Sequence, residues 1–432
     1  MSTIKTFGPV DKRSLAQLER CMEAGDAEYG VLCADHHPGY SQPIGGGVAY
    51  EGYVSPSGVG YDIGCGNKAA RTDLTRADLE ARGGVERLMR EITRRISFGM
   101  GVPATERVDH PVLDRIRRAD FAPQRKLSQV AESQLGTVGS GNHYVNLMED
   151  EEGRIWVGVH FGSRGFGHKT ASGFLALAQG LPFGGRASEG EMDSPPVLFE
   201  VGSELGEAYV SAMELAGEYA YAGRDVVVGK VLEILGAEAV REVHNHHNFA
   251  WREEHFGRTY WVIRKGCTPA RPGQEGFVGG SMGDDSVILE GLGGEEAEGS
   301  LFSTVHGAGR RMSRTQAAGK VRRRKRWACL DRDCDRMFET ASGCPDHPGA
   351  RLRKVWVEEQ IKPGRVDWPA VQARLREEGI VLLGGGADEA PEVYKRLPDV
   401  LAAHAGSVRV THRLRPLGVA MAGRDVHDPY KD

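Results

Sequence analysis

The stretch Val59-Gly60-Tyr61-Asp62-Ile63-Gly64-Cys65-Gly66-Asn67-Lys68 is the part of the chain around which the rest is organised. It follows an apolar approach that is rich in glycine and places a carboxylate and a thiol three residues apart. Because glycine adopts turns that other residues resist, Asp62 and Cys65 could fold back toward one point, as two ligands of one metal must. The structural alternative is a turn aspartate beside a buried cysteine that packs as a small hydrophobic residue.

Four histidines elsewhere lie in or beside loops of the same kind: His143, His160, His247 and His306. With Asp62 and Cys65 they form a mixed set of nitrogen, oxygen and sulfur donors, which suits one metal ion or a pair that shares the thiolate. Zinc, manganese, cobalt and iron all accept such ligands. The alternative for each histidine is a hydrogen-bonded loop residue, since spacing alone does not show that the six side chains converge.

The composition is that of a globular protein and excludes several classes. The 432 residues are 40% hydrophobic and 27% charged, and the net charge of −5 gives no overall positive field for nucleic acid. Seven cysteines in this length do not form a disulfide framework, so metal or catalytic roles come first. No apolar run suits a membrane span, and the N-terminus lacks a signal-peptide core. The sequence therefore predicts a soluble, cytoplasmic protein with no membrane partner.

Hydrophobic periodicity predicts helices over 12–25, 74–97 with a split at Gly83-Gly84, 111–119 capped by Asp109, 169–178, 203–235 with a break near Gly223, and a basic helix over 313–326. Residues 28–60 are predicted to be loop-rich and extended, and short strands are predicted at 144–147, 155–160, 260–265, 286–289, 301–305, 380–383 and 407–412. Strands and helices mix without regular βαβ alternation, which predicts an α+β fold. We expect one large domain, 1–432, with mixed sheets flanked by helices and an insert at 327–356.

Several loops offer partners for phosphate. Gly280-Ser281-Met282-Gly283 with Ser286 supplies backbone N–H groups and hydroxyls, the makings of an anion-binding nest. Arg164, Lys265, Arg310 and Arg314 lie in or near such loops and could clamp phosphate oxygens, although each alone also fits a solvated surface charge. A neutral imidazole at His306 could attack phosphorus and form a covalent intermediate. No Walker-type or Rossmann-type glycine motif is present in the sequence.

These motifs resemble the RtcB-type RNA ligases. The matching stretches run in order along nearly the whole chain outside the insert: DHHPGYSQPIGGG (35–47), GVGYDIGCG (58–66), LGTVGSGNHY (135–144), HFGSRGFGH (160–168), HHNFAWRE (246–253), RKGCTPA (264–270), GGSMG (279–283), STVHGAGRRMSR (303–314), DEAPEVYK (388–395) and RPLGV (415–419). The resemblance implies an enzyme that uses two Mn²⁺ ions and GTP to join RNA 3′-phosphate or 2′,3′-cyclic phosphate ends to 5′-hydroxyl ends. The sequence motifs do not identify a protein partner that would activate the enzyme.

The resemblance also implies roles for individual residues. Those matching the ligands of a two-manganese centre, with Cys65 shared, are Asp62, Cys65, His143, His160 and His247. His306 matches the histidine that is guanylylated by GTP. The positions that match nucleotide contacts, or flank them in the same loops, are Asn142, Asn146, Asn248, Gly280, Ser281, Met282, Ser286, Gly307, Ala308, Gly309 and Tyr394. The positions suited to phosphate or RNA are Arg164, Lys265, Arg310 and Arg314.

Two positions depart from the family pattern, and both concern recognition of the base. Where the family has a glutamate that grips the guanine edge, this chain has Asn146; where it has a lysine that reaches the base, this chain has Met421. A missing acidic group leaves guanine N–H donors unpaired. Two alternatives follow: a divergent homologue with altered nucleotide specificity, acting as a nucleotidyltransferase or phosphoesterase on nucleic-acid ends, and a non-catalytic metal-dependent RNA-binding factor.

The insert has its own ligand pattern. Cys329, Cys334, Cys344 and His347 resemble a small structural zinc site, with a loop of free thiols as the alternative. Beside it, six of the seven residues in Lys320 to Arg326 are basic. They fit either a contact with an RNA backbone or a solvated helix face.

Overall fold

The computed structural model describes residues 3–187, 192–331, 334 and 336–423. The strands of these residues are β1 Thr3–Thr6, β2 Tyr29–His37, β3 Ile44–Tyr50, β4 Tyr53–Val54, β5 Gly66–Thr75, β6 Tyr144–Glu149, β7 Arg154–Phe161, β8 Phe199–Glu200, β9 Ala239–His246, β10 Asn248–His255, β11 Arg258–Lys265, β12 Cys267–Pro269, β13 Glu275–Val278, β14 Ser286–Gly291, β15 Ser303–Val305, β16 Gly319–Cys329, β17 Met337–Phe338, β18 Leu352–Pro363, β19 Val381–Gly385 and β20 Val408–Gly423. The helices are α1 Lys12–Met22, α2 Pro56–Val59, α3 Arg76–Ala81, α4 Gly84–Arg95, α5 Pro111–Arg117, α6 Ala122–Arg125, α7 Ser128–Gln134, α8 Arg164–Ala178, α9 Glu204–Leu235, α10 Glu295–Gly299, α11 Arg314–Ala318, α12 Trp368–Glu377 and α13 Leu397–Ala402.

The α+β class predicted from the sequence is confirmed, and so are most of the predicted elements. The division of 74–97 into two helices falls at Gly83, which has a left-handed φ of 101°. Three details of the prediction were wrong. The N-cap of α5 is His110, whose ring nitrogen accepts from the Val112 amide, and not Asp109. Helix α9 continues through Gly223, and residues 28–60 contain the long buried strands β2 and β3 as well as loops.

The predicted basic helix over 313–326 was also wrong. Helix α11 ends at Ala318, because Gly319 leaves the helical conformation with φ 79°. The basic run then forms strand β16, which pairs antiparallel with β18 and places Arg322 opposite Glu359. Charged residues carry no hydrophobic periodicity, so cross-strand pairing decides the conformation here.

The main sheet has eight strands in the order β13-β14-β20-β6-β7-β5-β9, with β19 pairing with β20. Apolar side chains of α4 and α9, such as Met89 and Val231, pack on one face against β6 and β7. On the other face Trp156 packs with Phe277. Burial on both faces fixes the register of the central strands, because a slip of one residue would exchange the two faces.

A second sheet has five strands in the order β1-β2-β3-β11-β10. His247 is the residue that separates β9 of the eight-stranded sheet from β10 of this one. A two-stranded pair, β12 with β15, follows β11 directly. The two large sheets therefore meet where the ligand-bearing loops lie.

The predicted insert at 327–356 lies within a separate three-stranded sheet in the order β17-β16-β18. No helix in the described part of the chain combines the length and the hydropathy that spanning a bilayer requires.

Candidate active site

Four adjacent strands of the main sheet bring the predicted ligands to one edge. In the register of these strands Tyr144 lies opposite His160, His160 opposite Asn67, and Gly66 opposite His246. Neighbouring strands lie about 4.8 Å apart, so segments far apart in sequence become adjacent. Cys65, His143 and His247 immediately precede or follow these paired residues, which accounts for their convergence.

The five residues predicted as metal ligands form two groups that share Cys65. The ligand atoms of Cys65, His160 and His247 lie within 4.8 Å of one another, and so do those of Asp62, Cys65 and His143. His143 Nε2 lies 3.1 Å from Asp62 Oδ2, and Cys65 Sγ lies 3.3 Å from His160 Nε2.

Main-chain carbonyls set the orientation of two of the imidazoles. His143 Nδ1 donates to the Val138 carbonyl at 3.0 Å, and His160 Nδ1 donates to the Asn142 carbonyl at 3.1 Å. A neutral ring that donates from Nδ1 carries its lone pair on Nε2. Both Nε2 atoms face the Cys65 sulfur, so the two rings are oriented as metal ligands usually are.

The chemistry of this donor set fits a metal ion. Burial, and then the charge of Asp62, raise the pKa of the Cys65 thiol well above its ordinary value. Burial also raises the pKa of Asp62, but the hydrogen bond and charge of His143 outweigh it and lower that pKa to about 2. His247 Nδ1 is buried without a hydrogen-bond partner among the described residues. A cation would offset the cost of a buried thiolate beside the partly exposed Asp62 carboxylate, because ligands bind metals in their deprotonated forms.

His306 lies beside this cluster, with its ring centroid 4.9 Å from that of His247. Its Nδ1 donates to Asp35 Oδ2 at 2.6 Å, and its main-chain N–H donates to the same oxygen at 3.0 Å. Burial raises the pKa of Asp35, but the charge and hydrogen bonds of His306 outweigh it and lower that pKa below its ordinary value. In the neutral ring the lone pair is therefore on Nε2, the nitrogen that a nucleophile requires.

A cavity of about 550 Å³ opens beside His306. Most of the predicted nucleotide contacts line it: Asn142, Asn146, Gly280, Ser281, Met282, Gly307, Ala308, Gly309 and Tyr394. The other two predicted contacts, Asn248 and Ser286, do not line the cavity. Asn248 accepts from the Gly266 amide at 2.7 Å, and Ser286 accepts from the Gly280 amide at 3.1 Å. These two residues brace the loops of the site.

Of the residues predicted to bind phosphate, some line the cavity and one does not. Lys265, Arg310 and Arg314 line the cavity, whereas Arg164 lies outside the lining and donates to Thr137 and Gly99. Burial lowers the pKa of Lys265 to about 8. Arg310 and Arg314 both contact Glu389, at 3.4 and 2.9 Å, so an acidic residue already holds their positions.

The two residues that depart from the family pattern lie on the cavity wall. Asn146 and Tyr144 alternate along β6, and Met421 pairs with Tyr144 on the adjacent strand β20. Asn146 Oδ1 and the Tyr144 hydroxyl are buried without hydrogen-bond partners among the described residues. This part of the wall therefore presents neutral polar atoms and a thioether to a ligand.

Sequence reasoning assigned no role to two residues that hold the site. Asp35 is one; it opens the motif DHHPGYSQPIGGG, but that position suggested no role for its side chain. Arg224, in the middle of α9, is the other; it is fully buried and donates to the carbonyls of Gly64 at 2.9 Å and Phe161 at 2.6 Å. It also contacts His246 Nδ1 at 2.9 Å. Each of these three partners is a sequence neighbour of a predicted ligand.

The family model described as tRNA-splicing ligase RtcB matches residues 17–121 and 114–340 of this chain. The chain belongs to the RtcB family. The RNA-splicing ligase RtcB of Escherichia coli K12 is 30% identical to it over 414 residues, covering 89% of this chain and 88% of that protein. The tRNA-splicing ligase RtcB of Thermococcus kodakarensis is 30% identical, covering 92% and 89%. The tRNA-splicing ligase RtcB of Aeropyrum pernix is 31% identical, covering 69% and 76%.

This RtcB family member also brings together the four predicted ligands of its insert. The ligand atoms of Cys329, Cys334, Cys344 and His347 lie within 4.8 Å of one another. They belong to the three-stranded sheet and its loops, and none of them lines the cavity beside His306.

Proposed function

We propose that this protein is an RNA ligase that joins 3′-phosphate or 2′,3′-cyclic phosphate ends to 5′-hydroxyl ends, with GTP as the nucleotide and two Mn²⁺ ions as cofactors. Membership of a family with relatives named RNA- and tRNA-splicing ligases supports RNA ligation. The residues around His306 support the more specific parts of the proposal, namely the covalent nucleotide intermediate and the metal cofactors. The observation that carries the proposal is the orientation of His306 by buried Asp35, beside five converging ligands.

In this proposal His306 is the nucleophile. Its Nε2 attacks the α-phosphorus of GTP, a nitrogen–phosphorus bond forms, and pyrophosphate leaves. Asp35 accepts the hydrogen bond from Nδ1 throughout, so the ring stays oriented and its developing positive charge is stabilised. Gly307 leaves room for a bulky partner, because a Cβ atom at this position would have only the Gly279 carbonyl oxygen within 4 Å among the described residues.

The RNA steps follow from the same phosphorus chemistry. The RNA 3′-phosphate takes GMP from His306, and the nitrogen–phosphorus bond breaks. The 5′-hydroxyl of the second end then attacks the activated 3′-phosphate, and GMP leaves. A 2′,3′-cyclic phosphate end must first be opened by water to give the 3′-phosphate. Lys265, Arg310 and Arg314 are the cations on the cavity wall that would bind phosphate oxygens.

Asp62, Cys65, His143, His160 and His247 would hold the two manganese ions, with the Cys65 thiolate shared. When bound, such ions neutralise phosphate charge and align attacking and leaving atoms. The protein contributes the orientation of the ligands through the carbonyls of Val138 and Asn142.

Covalent labelling with radioactive GTP and Mn²⁺ tests the proposal. We expect His306→Ala to lose the label and the sealing of an RNA pair with 3′-phosphate and 5′-hydroxyl ends. His347→Ala, the same change in the insert, should keep the label. A label that survives His306→Ala would refute the nucleophile. Labelling without sealing would favour a nucleotidyltransferase or phosphoesterase, and RNA binding without labelling would favour a non-catalytic factor.

A second candidate is the same chemistry with a relaxed choice of nucleotide. The neutral wall formed by Asn146 and Met421 favours it, because neither side chain supplies the charge that the family pattern has there. Mass spectrometry after incubation with each of the four nucleoside triphosphates tests this. Adducts from several nucleotides would support relaxed specificity, and we expect Asn146→Glu to narrow them toward GMP. An adduct from GTP alone would contradict it.

A further inference from the structure

The tip of the three-stranded sheet holds four side chains with metal-binding chemistry, remote from the cavity. Cys329 ends β16, Cys334 follows in a turn, and Cys344 and His347 lie in the loop before β18. Their ligand atoms all lie within 4.8 Å of one another. Cys334 Sγ lies 3.7 Å from Cys344 Sγ, which in turn lies 3.6 Å from His347 Nδ1.

This part of the chain lacks a hydrophobic core of its own. Among the described residues from Gly319 to Pro363, only the side chains of Cys329 and Cys344 are buried, at 7% and 4% exposure. Several apolar side chains of the same segment are exposed, including Trp356 at 65% and Met337 at 54%. Small units that cannot bury enough apolar surface are usually held by a disulfide or a metal. Both of the side chains that this described segment buries are candidate metal ligands.

The orientation of His347 also suits a metal. Its Nδ1 faces the thiols, and its Nε2 lies 3.8 Å from Asp331 Oδ1 on the opposite side of the ring. A carboxylate on the far nitrogen is the usual outer partner of a metal-bound histidine. The Cys334 amide donates to the Asp331 carbonyl at 3.2 Å, which brings Cys334 close to this partner of His347.

We propose that Cys329, Cys334, Cys344 and His347 bind one structural zinc ion, which holds the tip of the insert together. Three thiolates and one imidazole form a closed tetrahedral set with no open position for a substrate, as structural zinc sites have. A disulfide would use two of the three cysteines. It would leave the third thiol and the imidazole with no part in holding the tip together. This site is separate from the cluster at Cys65, and the inference does not depend on the ligase activity.

Zinc content of the full chain tests the proposal. The protein is purified in reducing buffer, supplied with zinc, freed of loosely bound metal by gel filtration, and measured by elemental analysis. We expect Cys334→Ser/Cys344→Ser to hold about one zinc ion per chain less than the parent protein. Cys21→Ser, a buried cysteine away from both clusters, should hold as much as the parent. Equal zinc in the parent and the double variant would overturn the proposal, and so would a Cys334–Cys344 disulfide in protein without zinc.

Cobalt substitution gives a second test that does not depend on the stability of a double variant. Bound Co²⁺ absorbs according to the number of its thiolate ligands. His347→Cys should keep the metal and strengthen the thiolate-to-cobalt absorption, whereas His347→Ala should weaken binding by about tenfold or more. In a Cys65→Ser background, which removes the shared thiolate of the central cluster, the thiolate absorption should persist. Its complete loss in that background would overturn the proposal.

Discussion

The central cluster takes its five candidate ligands from residues 62 to 247, whereas the insert cluster takes its four candidates from residues 329 to 347. Buried strand pairing and helix α9 hold the segments of the central cluster together. In the insert, Cys329 ends strand β16 and the other three residues lie outside the strands, without an apolar core among the described residues. The comparison indicates that the fold builds the central site, whereas metal binding would build the tip of the insert.

The largest expected difference between the two clusters is in nucleotide transfer. We expect Cys65→Ala to reduce covalent labelling with GTP by about 10³-fold, since metal stabilisation of the transition state contributes several kcal/mol. Cys334→Ser should leave labelling within about twofold, because small effects are usual away from a site. Initial rates of label incorporation measure both. Comparable losses in the two variants would show that the clusters are not independent.

A smaller difference should appear between Asp35 and Asp331, each of which faces a histidine at its own site. Asp35→Asn removes the charge beside His306 Nδ1, where the distance is 2.6 Å. We expect labelling to fall about 10²-fold or more, because a carboxylate in this position fixes the tautomer and stabilises the charged ring. Asp331→Asn, 3.8 Å from His347, should leave labelling unchanged. Single-turnover labelling measures the effect; an unchanged rate in Asp35→Asn would contradict the role of Asp35.

Arg224 tests whether the fold positions the central ligands. We expect Arg224→Met to destabilise the protein by about 3 kcal/mol, since buried carbonyls lose their donors, and to weaken Mn²⁺ binding about 30-fold. Arg224→Lys should recover part of the affinity. Arg264→Met is the matched control, because Arg264 is equally buried but pairs with Glu253 at 2.8 Å.

That control should lose stability without a change in Mn²⁺ affinity. Thermal melts give the stability, and calorimetric titration gives the affinity. If both arginine variants weaken Mn²⁺ binding equally, Arg224 has only a general structural role.

The smallest expected effect is a difference in stability between the insert and the rest of the domain after bound metal is removed. Chelation of bound metal should raise proteolysis within the insert about tenfold, because local opening governs cleavage there. The thermal midpoint of the remaining domain should shift by about 2 °C or less in the same sample. Limited proteolysis with mass spectrometry of the fragments, beside calorimetry, measures both. Cleavage that begins in the main sheet would contradict the expectation that metal removal opens only the insert.

The sequence singled out the residues that the structure brings together in both clusters, because their donor types and, around Cys65, their glycine neighbours are local features. The residues alone also suggested His306 and the 280–283 loop, and the resemblance to a family added specific roles for them. The partner of His306 was not predictable, because Asp35 lies 271 residues away and meets it only through the pairing of the sheets.

Arg224 escaped prediction for a related reason. An arginine in a long helix has no local signature, and its importance comes from the carbonyls that surround it after folding. The prediction for the basic strand β16 was wrong for the opposite reason, because its local composition was misleading. Its composition fits a solvated helix, but the neighbouring strand β18 supplies cross-strand partners such as Glu359 for Arg324. Long-range pairing outweighed local preference in this segment.

His247 is the joint between the eight-stranded and five-stranded sheets. Its amide donates to the Cys65 carbonyl at 2.8 Å, and its carbonyl accepts from the Cys267 amide at 3.1 Å. The angle between the two sheets and the position of this imidazole are therefore coupled. Repacking in the five-stranded sheet, far along the chain from Cys65, would therefore move this imidazole relative to the Cys65 sulfur even where all five residues of the cluster stay the same.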